Sequence, residues 1–121
     1  MVKAAVLYEV GSPLVIEDVE LDDPQAGEVL VKIGAAGICR SDRHFMHGDA
    51  PIALPVVLGH EGAGTVEKVG PGVNSVRPGQ QVILSFVPSC GRCKSCITGN
   101  SHLCDNHAAT GPNMYDGTTR L

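Results

Sequence analysis

The segment Cys90-Gly-Arg-Cys93-Lys-Ser-Cys96, closed by Cys104, constrains this chain more than any other feature. Its spacing is C-x2-C-x2-C-x7-C, so four of the five cysteines fall within fifteen residues. Zinc takes four sulfur ligands at about 2.3 Å, and an all-sulfur tetrahedral set favours zinc or an iron centre. Cysteines three residues apart turn their sulfurs inward on a tight loop, and Gly91 relaxes the first turn. Four thiolates complete the shell and leave no position for water, so the spacing predicts a structural metal site. The competing reading is a set of redox-active dithiols, which would form disulfides easily and hold little zinc.

The odd cysteine count argues against a disulfide framework. The N-terminal apolar run is too short for a secretion signal, and no stretch reaches the length of a membrane span. The expected location is the cytoplasm, where clustered cysteines serve as metal ligands or redox groups. Charged residues make up 18% of the chain, aromatic residues 3%, and the net charge is −4. That balance offers neither a basic stripe for phosphates nor stacking platforms for bases, so nucleic acid is excluded as an expected partner. With no stretch long enough to span a bilayer, a membrane is not an expected partner either.

The pattern along the chain is mainly β. Lys3 to Tyr8 and Leu14 to Leu21 read as a hairpin pair about Gly11-Ser12-Pro13. Glu28 to Ile33 reads as a strand with Val29, Val31 and Ile33 on one face. Gly62 to Val69 and Gln81 to Phe86 read as further strands, separated by the type II turn signal Arg77-Pro78-Gly79. Short strands with turns between them predict a small barrel or sandwich. One helix is expected before the cysteine loop, from about Ser41 to His47. Ser41 and Asp42 suit its N-terminus and Gly48 its end. Asp116 to Leu121 reads as a turn leading into a new strand, and no G-x-G-x-x-G follows a strand, so the chain is expected to be a piece of something longer.

A second constellation lies upstream. Cys39-Arg40-Ser41-Asp42-Arg43-His44 is followed by Gly59-His60-Glu61. A Cys, a His and a third ligand with one position open is the pattern of a catalytic zinc, a Lewis acid for an alcohol or carbonyl oxygen. Ser41 and His44 are three apart and share one helix face, where a hydroxyl and an imidazole can pass a proton. Asp42 suits the second N–H of a ligating histidine, and Arg40 suits a phosphate. Taken singly, each has an ordinary reading. Cys39 and His60 are then core residues, Glu61 a solvated carboxylate, Ser41 and Asp42 helix caps, and Arg40 surface charge.

Taken in order, Cys-Arg-Ser-Asp-x-His, Gly-His-Glu and the four-cysteine lobe resemble the zinc-dependent medium-chain alcohol dehydrogenases over essentially the whole chain. The resemblance implies a GroES-like β-barrel with a short helix and a zinc lobe at 88–106, residues 1–121 being the first part of that family's catalytic domain. It further implies that Cys39 and His60 bind catalytic zinc, with Glu61 an interchangeable carboxylate. Ser41 and His44 would form the proton relay, Asp42 would hold His60, and Arg40 would meet the cofactor pyrophosphate. Phe86 would line the substrate pocket, with Ala50 beside it. Cys90, Cys93, Cys96 and Cys104 would hold structural zinc.

The implied reaction is reversible oxidation of an alcohol to an aldehyde or ketone with NAD(P). The Cys-Arg-Ser pattern leans towards NAD and towards alcohol or glutathione-adduct substrates, and family members are homo-oligomers. Members of that family are much longer, and their second catalytic cysteine and Rossmann domain have no counterpart in these 121 residues. The chain alone is therefore expected to bind zinc without turning over alcohol. The alternative is a non-catalytic zinc-binding structural module. Loss of a covering domain should expose apolar surface and promote association, with Val56, Val57 and Leu58 as candidates.

Overall fold

A computed structural model describes residues 1–86 and 89–106. The chain divides into two compact units, Met1–Leu84 and a second that begins at Ser85.

In the first unit, β-branched and small residues between turn signals form two antiparallel three-stranded sheets. One sheet orders β2 (Val15–Val19), β1 (Val2–Leu7) and β4 (Val56–Val57), with β1 central. Val6, Leu7 and Val56 are buried there, and Leu7 pairs with Val56 across the ladder. The other sheet orders β3 (Val29–Ala36), β5 (Gly62–Val69) and β6 (Gln81–Ile83), with β5 central and its Val66 buried. Between β3 and β4 runs the helix α1 (Arg40–His47).

The expected strands are all present with adjusted ends, and β4 was not anticipated. Two residues between Pro55 and Leu58 carry too little alternation to read as a strand. The pairing of β4 with β1 also corrects the expectation that Val56 is uncovered, since it is 6% exposed and Val57 and Leu58 are partly buried. The most exposed large apolar side chains among the described residues include Ile38 at 91% and Ile83 at 84%.

β3 departs from simple alternation. Its register with β5 slips between Leu30 and Val31 and again between Ile33 and Ala35. A bulge resets which face successive side chains take, so Leu30 and Val31 are both partly buried while Ile33 is 48% exposed. β6 ends at Ile83, short of the expected Phe86. α1 begins one residue earlier than expected, with Cys39 as its N-cap, which puts Ser41 and Asp42 inside the first turn. The turn at Arg77–Gln80 closes as expected, Gln80 N donating to Arg77 O at 3.2 Å.

The second unit carries little regular structure among its described residues. A single helical turn, α2 (Lys94–Ile97), is followed by a 3₁₀ turn at Ser101–Leu103. Cys104 is the one buried residue described in it. Pro88, the first residue of the expected zinc lobe, and the expected turn at Asp116–Leu121 lie outside the described residues.

Candidate metal centres

The first centre is assembled by strand register. β3 and β5 end on the pair Ala36↔Gly62. One step further, Gly37 N donates to Glu61 O at 2.9 Å. This antiparallel end brings the segment entering α1 against the segment leading into β5. Cys39, His60 and Glu61 meet there, offering ligand atoms that all lie within 4.8 Å of one another. Tetrahedral zinc with one sulfur and two lighter donors needs separations of about 3.5 Å, so the set would have to draw closer around an ion. Glu61 lies across Gly37, where a Cβ would meet its carboxylate and force that side chain to shift.

Asp42 organises this centre from behind. One carboxylate oxygen, Oδ2, accepts from the Cys39 backbone N–H at 3.1 Å. The other, Oδ1, stands 3.5 Å from Nδ1 of His60. Both side chains are largely buried, 13% exposed for Asp42 and 19% for His60. Oδ1 thus faces the Nδ1 edge of the ring, and a proton held on that nitrogen would leave Nε2 for a metal. Asp42 thus stands at the helix start, where a cap is expected, and also faces His60, where the partner of a ligating histidine is expected. One side chain meets both the backbone of Cys39 and the ring of His60.

Ser41 follows in the first turn of α1. Its Oγ is buried and has no hydrogen-bond partner among the described residues. A buried hydroxyl without a partner is costly, and this one sits two residues from Cys39, where a polar ligand atom would satisfy it. His44, a turn later, pairs through Nδ1 with Asp49 Oδ2 at 3.0 Å. Sequence reading did not single out Asp49; the signal available was Gly48, whose helix stop folds the next residue back. Arg40 is exposed at the first position of α1 and carries no ion pair among the described residues. Ala50 is partly buried just after Asp49, and Phe86 is 57% exposed in the second unit.

The second centre is the cysteine cluster. The sulfurs of Cys90, Cys93, Cys96 and Cys104 lie within 4.8 Å of one another, and Cys93 and Cys104 are 4.0 Å apart. Tetrahedral zinc with sulfur ligands needs about 3.8 Å between sulfurs, so the set fits with little movement. All five cysteines are free of disulfides. Backbone N–H groups point at the sulfurs: Cys90 N donates to Cys104, Cys93 N to Cys90 and Cys96 N to Cys93, at 3.3 to 3.4 Å. Such donors favour thiolate over thiol.

As thiols the four are not equivalent. Hydrogen bonds hold Cys90 down at about 6, the largest from the Asn106 side-chain amide and the next from the backbone N–H groups of Arg92 and Cys93. Burial pushes Cys96 up to about 12, helped by hydrogen bonding to Cys93 and opposed by the Gly91 N–H. Asn106 was not anticipated either, because its sequence neighbourhood gives no sign that its amide reaches Cys90.

Two donor sets that could each hold a metal ion sit on a mainly β scaffold, and comparison with known proteins shows the family to which such a chain belongs. The family model of the alcohol dehydrogenase GroES-like domain matches residues 25–120, and the chain belongs to that family. It is 52% identical over 120 residues to the NDMA-dependent alcohol dehydrogenase of Amycolatopsis methanolica, covering 98% of this chain and 32% of that protein. The fold is similar to an alcohol dehydrogenase zinc-binding domain protein from Burkholderia ambifaria, with a TM-score of 0.85, 40% identity, and coverage of 98% and 32%. It is also similar to a zinc-binding dehydrogenase from Sinorhizobium meliloti solved with NADP, with a TM-score of 0.70, 40% identity, and coverage of 86% and 30%. The chain thus spans about a third of the length of the relatives it matches. Among the described residues, no helix is long and apolar enough to cross a membrane.

Proposed function

We propose that this chain supplies the zinc-binding, substrate-side part of an NAD(P)-dependent alcohol dehydrogenase. The observation that carries the reading is the convergence of Cys39, His60 and Glu61, with Asp42 behind His60. Three protein donors with a fourth position open characterise a catalytic site, and the four-cysteine cluster a structural one. Bound zinc would polarise an alcohol or carbonyl oxygen.

Around that chemistry the chain's own residues have distinct tasks. Cys39 and His60 hold the metal, and Glu61 is a carboxylate in reach of the same position. Asp42 keeps the His60 ring oriented. Ser41 Oγ accepts the proton of the alcohol and passes it on towards His44, whose half-exposed ring returns it to solvent. Arg40 meets the cofactor pyrophosphate, and Phe86 and Ala50 line the substrate path. The relatives' names support an alcohol or aldehyde substrate, and the NADP-bound neighbour supports a nicotinamide cofactor. NAD is preferred in this reading, the longer protein is a cytoplasmic homo-oligomer, and the 121 residues alone are inactive.

Zinc analysis of the purified chain tests the reading. Two zinc ions per chain are expected, falling to one in Cys39→Ser and to one in Cys93→Ser. One zinc, lost only in Cys93→Ser, would instead favour the structural-module reading, which the self-contained four-cysteine cluster supports. Turnover of alcohols by these 121 residues with NAD and zinc would overturn the claim of inactivity.

A further inference from the structure

The geometry points to Asp49 as the positioning residue of the proton relay, a role that rests on the dehydrogenase reading above. Its placement follows from how α1 ends. Gly48 takes the left-handed conformation, φ 81°, and donates to Phe45 O at 3.2 Å, while Asp49 N donates to His44 O at 2.8 Å. Those two bonds make the double-bonded helix stop in which the residue after the glycine returns over the last turn. The chain is held in that path from outside as well. Gly11 N, in the β1–β2 connection, donates to Met46 O at 2.7 Å, and Val10 lies so close to Gly48 that a Cβ there would strike its Cγ1.

Asp49 is thereby joined to His44 twice. Its N–H meets the His44 carbonyl, and its Oδ2 meets the His44 ring at Nδ1, 3.0 Å away. A carboxylate can only accept, so the neutral ring carries its proton on Nδ1 and its lone pair on Nε2. Nε2 is then the ring atom left with a lone pair to receive the relayed proton. Without Asp49 the half-exposed ring is free to adopt the Nε2–H form, which has no basic nitrogen on that side.

The tautomer of His44 is the direct readout. The zinc-loaded 121-residue chain, labelled with ¹⁵N at histidine, is examined by two-bond ¹H–¹⁵N correlation at about pH 8.5, where an ordinary imidazole is neutral. His44→Gln assigns the signal. The wild-type ring is expected in the Nδ1–H form, Asp49→Ala in the Nε2–H form, and Asp49→Asn in the Nδ1–H form, since its amide oxygen still accepts. An Nε2–H ring in the wild type, or an Nδ1–H ring in a folded Asp49→Ala, would overturn the assignment. The spectrum needs no alcohol, cofactor or turnover. An Nδ1–H ring in a chain that holds a single zinc would therefore sustain the placement of Asp49 and count against the dehydrogenase reading alone.

Discussion

Asp42 shows how much one buried carboxylate can carry. Asp42→Ala removes the acceptor of the Cys39 N–H and the partner of the His60 ring together. The expected loss is about 1 kcal/mol of stability from the helix start and about 10- to 100-fold in zinc affinity at the first centre. A urea titration and chelator competition measure the two separately, and an unchanged zinc affinity would show that the His60 contact orients nothing. The cysteine cluster makes a prediction about pH. Zinc takes thiolates, so each thiol still protonated must release its proton on binding, and affinity falls as pH falls. Cys90, held at about 6, is already ionised at neutral pH, whereas Cys96, at about 12, must always give up a proton. The number of protons released should therefore rise by one as pH drops through about 6, steepening the loss of zinc there. Calorimetry in buffers of different ionisation enthalpy, run at pH 7 and pH 5.5, counts those protons.

At the scale of the element, β1 anchors the first sheet. Leu7 is fully buried on this central strand and pairs with Val56 of the short β4. Leu7→Ala should cost about 2–5 kcal/mol, from lost transfer free energy and the cavity left behind. Equilibrium unfolding in urea checks it, and a loss well under 1 kcal/mol would place the core elsewhere. Most elements were legible because their signals are local. The alternation in Glu28–Ile33, the glycine-led run from Gly62, and the Pro-Gly turn at Pro78-Gly79 each act within a few residues. β4 was not legible, because a two-residue strand exists only through pairing with β1. The bulges of β3 were hidden for the same reason, since they are properties of its register with β5.

At the scale of the molecule, each metal centre draws all its ligands from one compact unit: Cys39, His60 and Glu61 from Met1–Leu84, and the four other cysteines from the unit beginning at Ser85. The two sites should therefore be separable. Cys104→Ser is expected to remove the cluster's zinc while the first centre keeps its own, with cobalt substitution reporting each environment by its absorption. Loss of both metals in Cys104→Ser would show that the centres depend on each other.

The four-cysteine site was readable from the sequence alone because its ligands lie within fifteen residues, and a loop that short has few ways to arrange four sulfurs other than around one ion. The family was readable too, from the order of motifs. The first centre needed the tertiary structure. Cys39 and His60 are separated by α1 and β4, and only the end of the β3–β5 ladder at Ala36↔Gly62 decides that they meet. Tertiary pairing likewise buried Val56, and the helix stop at Gly48 turned Asp49 back onto His44. Local spacing encodes a site when the chain between its ligands is too short to do anything else; across longer separations, pairing and packing make the choice.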